Sequence, residues 1–143
     1  MLPRLITVKR KSAMALVHLV IGLALLEFLG FIAAVGRARV RYAVPAPATT
    51  GNEIFERYFR VQMNTLEQLA LFLPGIWIFA LYVSAPIAAA LGALFILGRF
   101  IYFMSYVKDP KQRTAGFGLS VLPTIVLVVG GIIGAARAAL FAH

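Results

Sequence analysis

Two short runs of the chain carry side chains that could do chemistry. The first is Phe55-Glu56-Arg57-Tyr58-Phe59-Arg60-Val61-Gln62-Met63-Asn64-Thr65-Leu66-Glu67. On a helix, Arg60, Asn64 and Glu67 stand at i, i+4 and i+7 and share one face, with Arg57 one turn outward. The rise of about 1.5 Å per residue puts Glu67 about 10 Å beyond Arg60 along the axis. The second run is Gly98-Arg99-Phe100-Ile101-Tyr102-Phe103-Met104-Ser105-Tyr106, in which Arg99, Tyr102 and Tyr106 stand at i, i+3 and i+7. Guanidiniums stay charged and grip carboxylates through paired hydrogen bonds. A carboxylate such as Glu67 receives an ammonium or pairs with an arginine, and the Asn64 amide both donates and accepts. The set suits a small zwitterion with several carboxylates, such as a peptide. It serves equally well as internal salt bridges that fix helix register, with the tyrosines in an interfacial aromatic belt. Spacing alone leaves both roles open. One glutamate without nearby histidines is a poor metal site, so no metal is expected. No Ser-His-Asp grouping or glycine-rich phosphate loop occurs.

The elements that hold these runs follow from composition. Of 143 residues, 62% are hydrophobic and 13% are charged, against roughly 25% charged in an ordinary soluble domain. That excludes a soluble globular enzyme and a disordered segment. The expectation is an all-α membrane protein with a single domain over residues 1–143 and four transmembrane helices. The apolar run Ala13–Gly36 is longer than the core of a signal peptide and long enough to span. The charge-free stretch from Leu69 to Gly98 is divided at Ser84-Ala85-Pro86, because proline ends one helix and opens the next. A fourth run begins at Thr114, with Pro123 expected to kink it. The spans fall at about 13–36, 53–83, 86–106 and 114–137. There are no cysteines, hence no disulfides and no thiolate chemistry from the chain itself. The net charge of +9 lies in the short segments between apolar runs, which points to anionic lipid headgroups and away from nucleic acid.

Four spans place both termini on one side and the first and third loops on the other. The second span begins on the loop side and the third ends there, so both polar rows lie in one leaflet. Arg39 precedes them and Arg113 follows, completing a candidate pocket that opens to the loops. The loop side carries Arg37, Arg39, Arg41, Arg57, Arg60, Lys108, Lys111 and Arg113, against Arg4, Lys9, Arg10, Lys11 and Arg137 on the other. The excess favours loops in the cytoplasm. His18 and Glu27 fall nearly opposite one another on the first helix, and each reads as a polar contact to another helix or subunit, with a proton relay as the alternative. Gly130 and Gly134 form a G-x-x-x-G pattern suited to close helix packing, and Trp77 reads as packing.

The run from Phe55 to Glu67 resembles the F-E-R-x-x-R-x-Q-x-N-x-x-E signature of the MAPEG family, the membrane-associated proteins in eicosanoid and glutathione metabolism. The run Gly98–Tyr106 and the preceding Thr49-Thr50-Gly51 are similar as well. The resemblance implies a four-helix bundle assembling as a homotrimer, with glutathione as co-substrate bound between neighbouring subunits. By it, Arg60, Asn64 and Glu67 would hold the peptide groups with Gln62 adjacent. Arg99, Tyr102 and Tyr106 would contact glutathione from the third helix, and Arg39 and Arg113 would stand at the mouth. Arg113 matches the arginine that stabilises the thiolate. The implied activity is that of a glutathione transferase or peroxidase acting on hydrophobic electrophiles, lipids or lipid hydroperoxides, in a multi-pass membrane protein of the inner membrane if bacterial. The sequence departs from the pattern at Gln68, where the family often has tyrosine, and at Ala70, where a family proline stands, although Pro74 follows. The alternative within the same fold is a non-catalytic lipid-binding protein or scaffold.

Overall fold

The computed structural model describes residues Leu2–Phe141, with the side chains of 2–7 and of Arg10 outside the description, so the basic side chains of Arg4 and Arg10 are not placed. Four long helices carry the chain: α1 (Leu2–Arg41), α2 (Glu53–Tyr82), α3 (Ala85–Lys108) and α4 (Thr114–Phe141), with one 3-10 turn, Pro110–Arg113, before α4. Each is long and apolar enough to cross a membrane. The α1 helix has 40 residues, about 60 Å of length, and so overreaches a hydrocarbon layer of about 30 Å at both ends. Its basic residues do not stop it. Arg39 and Arg41 in its last turn sit where the helix dipole favours cations. It ends where Ala43 turns to a left-handed backbone (φ 53°) ahead of Pro45 and Pro47.

The α2 start is built locally. The Asn52 side chain accepts from the amides of Ile54 (3.0 Å) and Phe55 (3.1 Å), and Glu56 reaches back to accept from the Gly51 amide at 3.0 Å. These bonds satisfy donors that a helix N-terminus otherwise leaves open. Only Val83 and Ser84 separate α2 from α3, and the Ser84 hydroxyl accepts from the Ile87 amide while Pro86 occupies the first turn. The α2 helix runs through Pro74 and α4 through Pro123 without interruption.

The α2–α3 pair lies between α1 and α4, each of which packs on both of its members. Apolar contact fills the middle: Phe72 and Phe95 stack with centroids 3.9 Å apart, among Val17, Ile76, Ala88 and Leu127. Large apolar side chains on the outer faces stay exposed, such as Leu19, Leu26 and Leu29 on α1 and Leu122, Val129 and Ile132 on α4. In a bilayer that outer surface meets lipid. Glycines set the closest approaches. A Cβ at Gly116 would lie 2.3 Å from the Tyr102 amide nitrogen, and one at Gly98 would lie 2.6 Å from that of Ser120, so α3 and α4 touch backbone to backbone. The G-x-x-x-G pattern does pack closely, with Gly130 under the Phe79 ring and Gly134 against Val83. His18 stacks on Trp77 at 5.1 Å between α1 and α2.

Candidate functional site

The two polar rows meet, but the structure divides them into an anchored layer and an open one. The outermost member, Arg57, is an anchor. Its Nη1 donates to the carbonyls of Val107 (3.3 Å) and Lys108 (3.0 Å), which capping at the end of α3 needs, and its Nη2 pairs with Glu53. Among the described residues this is the one ion pair, so Arg60 and Glu67 do not form the internal salt bridge that their spacing allows.

Arg99 is an anchor too. It is fully buried at 0% exposure. Its guanidinium donates to Thr65 Oγ1 (2.9 Å), Asn64 Oδ1 (3.2 Å) and Ser120 Oγ (3.4 Å), and it lies 4.2 Å from the centre of the Tyr102 ring. Thr65 and Ser120 can accept because their own protons go to the helix carbonyls of Val61 and Gly116. The close approach at Gly98 and Gly116 is what brings Ser120 within reach. Asn64 passes the contact on, its Nδ2 donating to Glu67 Oε2 at 3.3 Å.

Above this layer lies a chain of three recesses that share walls. The outermost, about 490 Å³, is lined by Thr49, Thr50, Arg60, Glu67 and Tyr106 among others. The second, about 530 Å³, gathers Arg60, Asn64, Tyr102, Tyr106, Arg113 and Phe117. The third, about 190 Å³, runs deeper between α2 and α4 past Asn64, Glu67, Gln68, Leu71, Phe117 and Ile125. The recesses thus lead from a mouth of mixed charge, where Glu53 and Glu56 stand with Arg57 and Arg60, past Arg60 and Arg113 to a mainly apolar inner end. The side-chain oxygen of Gln68 is buried near that inner end without a partner. A larger open recess of about 880 Å³ at the opposite end of the bundle offers one cation, Arg137, amid mainly apolar walls.

Of the residues singled out from sequence, Arg60, Asn64, Glu67, Tyr102, Tyr106 and Arg113 come together around the connected recesses. Three stand elsewhere within the single chain. Arg99 lies beneath them. Arg39 turns into its own loop, where Nη1 donates to the carbonyl of Ala48 and the guanidinium covers the Phe55 ring at 4.7 Å. Gln62 is half-buried and lines none of the three recesses. Sequence reasoning passed over Thr65, Ser120 and Gly116. A small residue at Gly116 followed by a hydroxyl four residues later on an apolar helix is the signal that could have marked them.

Chemically, two guanidiniums without ion-pair partners among the described residues face one recess beside two phenols and an amide, with the Glu67 carboxylate on the adjoining walls. By its chemistry such a cleft suits a zwitterionic ligand with carboxylates beside the guanidiniums and an apolar group at its inner end.

Comparison with known proteins shows the family of the chain. The sequence model of the MAPEG family matches residues 16–133. An uncharacterized protein of Synechocystis sp. is 51% identical over 115 residues, covering 80% of this chain and 84% of its own. Human microsomal glutathione S-transferase 2 is 38% identical over 107 residues, with 75% and 73% covered. Leukotriene C4 synthase of Cavia porcellus is 34% identical, with 91% of this chain and 92% of its own covered. The motif runs of α2 and α3, the four apolar helices and these similarities lead to one conclusion: the chain is an integral, multi-pass membrane protein and belongs to the MAPEG family.

Proposed function

We propose that the chain is a membrane glutathione transferase, with peroxidase activity toward lipid hydroperoxides as the related reaction of the same site. The observation that carries this reading is the pair Arg60 and Arg113, free of ion-pair partners among the described residues and facing one recess with Tyr102 and Tyr106. Glutathione has two carboxylates, one ammonium and one thiol, and the side chains present fit them. The names of the relatives, microsomal glutathione S-transferase 2 and leukotriene C4 synthase, support the same co-substrate.

Bound glutathione supplies a sulfur nucleophile, which forms a bond to an electrophilic carbon while the leaving group takes the displaced electron pair. The chain prepares for that step. Arg60 grips a carboxylate by a paired bond. Glu67, turned to the cleft, accepts from the ammonium. Arg113 holds negative charge on sulfur, and a cation beside a thiol raises its thiolate fraction. The apolar inner recess, past Leu71 and Ile125, admits the hydrophobic partner from the lipid side. We further propose a homotrimer, in which Arg39 and Gln62, set apart from the recess of their own chain, complete the site of a neighbour. A bacterial inner membrane fits the Synechocystis relative.

The test is titration of detergent-purified protein with glutathione, following ultraviolet thiolate absorbance, beside Arg113→Ala and with native mass spectrometry for subunit number. Saturable thiolate formation that the variant lacks supports the reading. A flat wild-type response in a well-folded oligomer turns it to a lipid-binding protein or scaffold, with Gln68 the first suspected cause.

A further inference from the structure

Arg99 is the largest fully buried side chain of the described residues, and it carries a charge. Removing a charge from water is costly unless it is paired and hydrogen-bonded. Its hydrogen-bond partners are all neutral: Thr65, Asn64 and Ser120. If holding helices together were its whole task, Thr65 on α2 and Ser120 on α4 would suffice. The bond to Asn64 does something else. A guanidinium only donates, so Asn64 must present its oxygen to Arg99. Its NH2 group then points the other way, at Glu67 Oε2 (3.3 Å). Arg99 therefore selects one of the two orientations of the amide, and that orientation pins a carboxylate that lines the recess.

A carboxylate of α1 stands near the level of Arg99. Ala24 is buried in the same cluster as Phe95, and Phe31 in the same cluster as Tyr102. Glu27 lies between Ala24 and Phe31 on α1, as Arg99 lies between Phe95 and Tyr102 on α3. The two helices run in the same direction, so both charges stand at one level. Glu27 is half-buried. The two charges are not in direct ion-pair contact.

We infer that Arg99 is a positioning residue: from beneath the recess it fixes the Asn64–Glu67 pair in the orientation that receives the ligand's ammonium, and Glu27 of α1 is the counter-charge that keeps the guanidinium there. This rests on the glutathione reading of the recess and extends it to two residues that do not touch the ligand.

The experiment is the glutathione titration of full-length, detergent-purified protein, read as midpoint and as thiolate amplitude at saturation, with thermal melting of each variant. In Arg99→Met the amide is released, and the midpoint should rise about 10- to 100-fold, the worth of one hydrogen bond to a charged group. The saturating amplitude, which depends on Arg113, should stay. Arg99→Lys still only donates and should recover part of the loss. Asn64→Asp covers the case in which Arg99→Met fails to fold: it keeps the shape and gains a charge partner for Arg99, but sets a carboxylate against Glu67, so the midpoint should rise while melting holds. Glu27→Gln should raise the midpoint about 3- to 10-fold, and should add nothing in the Arg99→Met background.

A folded Arg99→Met or Asn64→Asp with the wild-type midpoint overturns the positioning role. A loss of amplitude in step with melting, without a midpoint shift, assigns Arg99 to stability alone and overturns it as well. A Glu27→Gln effect that is equal in both backgrounds removes Glu27 from the arrangement. A wild type without a saturable response overturns the glutathione reading and the positioning role together. A responsive wild type with an identical Arg99→Met overturns positioning only.

Discussion

Both ends of the bundle use the same device, glycine at a helix crossing, and fill the resulting contact differently. Toward the loops, Gly98 and Gly116 bring α3 and α4 into backbone contact, and the neighbouring space holds Arg99 with its three oxygen partners. Toward the termini, Gly130, Gly131 and Gly134 bring α4 against α2, and the space holds Phe79, Ile78 and Val83. A ring or a methyl group can shift by tenths of an ångström and lose little dispersion energy. A guanidinium that must reach Asn64, Thr65 and Ser120 at once has no such slack. The polar end is therefore the more exacting of the two, and it is the end that carries the recess.

The largest effect expected from this contrast is at Gly116. Gly116→Leu drives a side chain into the Tyr102 backbone, where even a Cβ would lie 2.3 Å from nitrogen, and overpacking of this kind costs about 3 kcal/mol or more. Thermal melting in detergent reads it, and a wild-type melting temperature would show that α3 and α4 are not in contact there. Next comes Arg113→Ala, which should lower the thiolate signal about 100-fold, the scale of losing one group that stabilises developing charge. Its melting temperature should not move, because Arg113 is exposed and makes no ion pair among the described residues. Arg60→Ala should weaken glutathione binding about tenfold or more by equilibrium titration, again at constant melting temperature; a parallel fall in both would make Arg60 a structural residue like Arg57. The smallest effect belongs to the apolar end. Gly130→Ala presses on the edge of the Phe79 ring, which can turn aside, so about 1 kcal/mol of stability should be lost with glutathione affinity unchanged. An affinity change there would mean the two ends are coupled.

Much of this was legible in the sequence because hydrophobic length is a local property. Uncharged runs mark helices whatever packs on them, and the Ser84-Ala85-Pro86 break lies where α2 gives way to α3. The row Arg60, Asn64, Glu67 was legible for the same reason, since helical spacing alone puts it on one face. The depth of Arg99 was not. On its own helix it stands in line with Tyr102 and Tyr106, and nothing local separates a residue that lines the recess from one that supports it. The difference is made by Thr65 on α2, by Ser120 on α4 and by the glycines that admit them. The role of Arg57 was hidden likewise, because its partners are backbone carbonyls 50 residues away in sequence. The α1 helix runs beyond the 13–36 span at both ends, because lysines and arginines limit the hydrocarbon-buried stretch but do not break a helix.

The two-residue connection at Val83 and Ser84 has a consequence for how the chain enters its membrane. An arginine near the middle of a lone inserting helix costs about 2.5–3.5 kcal/mol on insertion scales. Arg99 never has to meet lipid alone. So short a link obliges α2 and α3 to enter as a hairpin, and α2 brings Asn64 and Thr65, two of the three oxygens that Arg99 needs. Ser120 arrives afterwards with α4. The order of the helices along the chain is thus the order in which the partners of Arg99 become available.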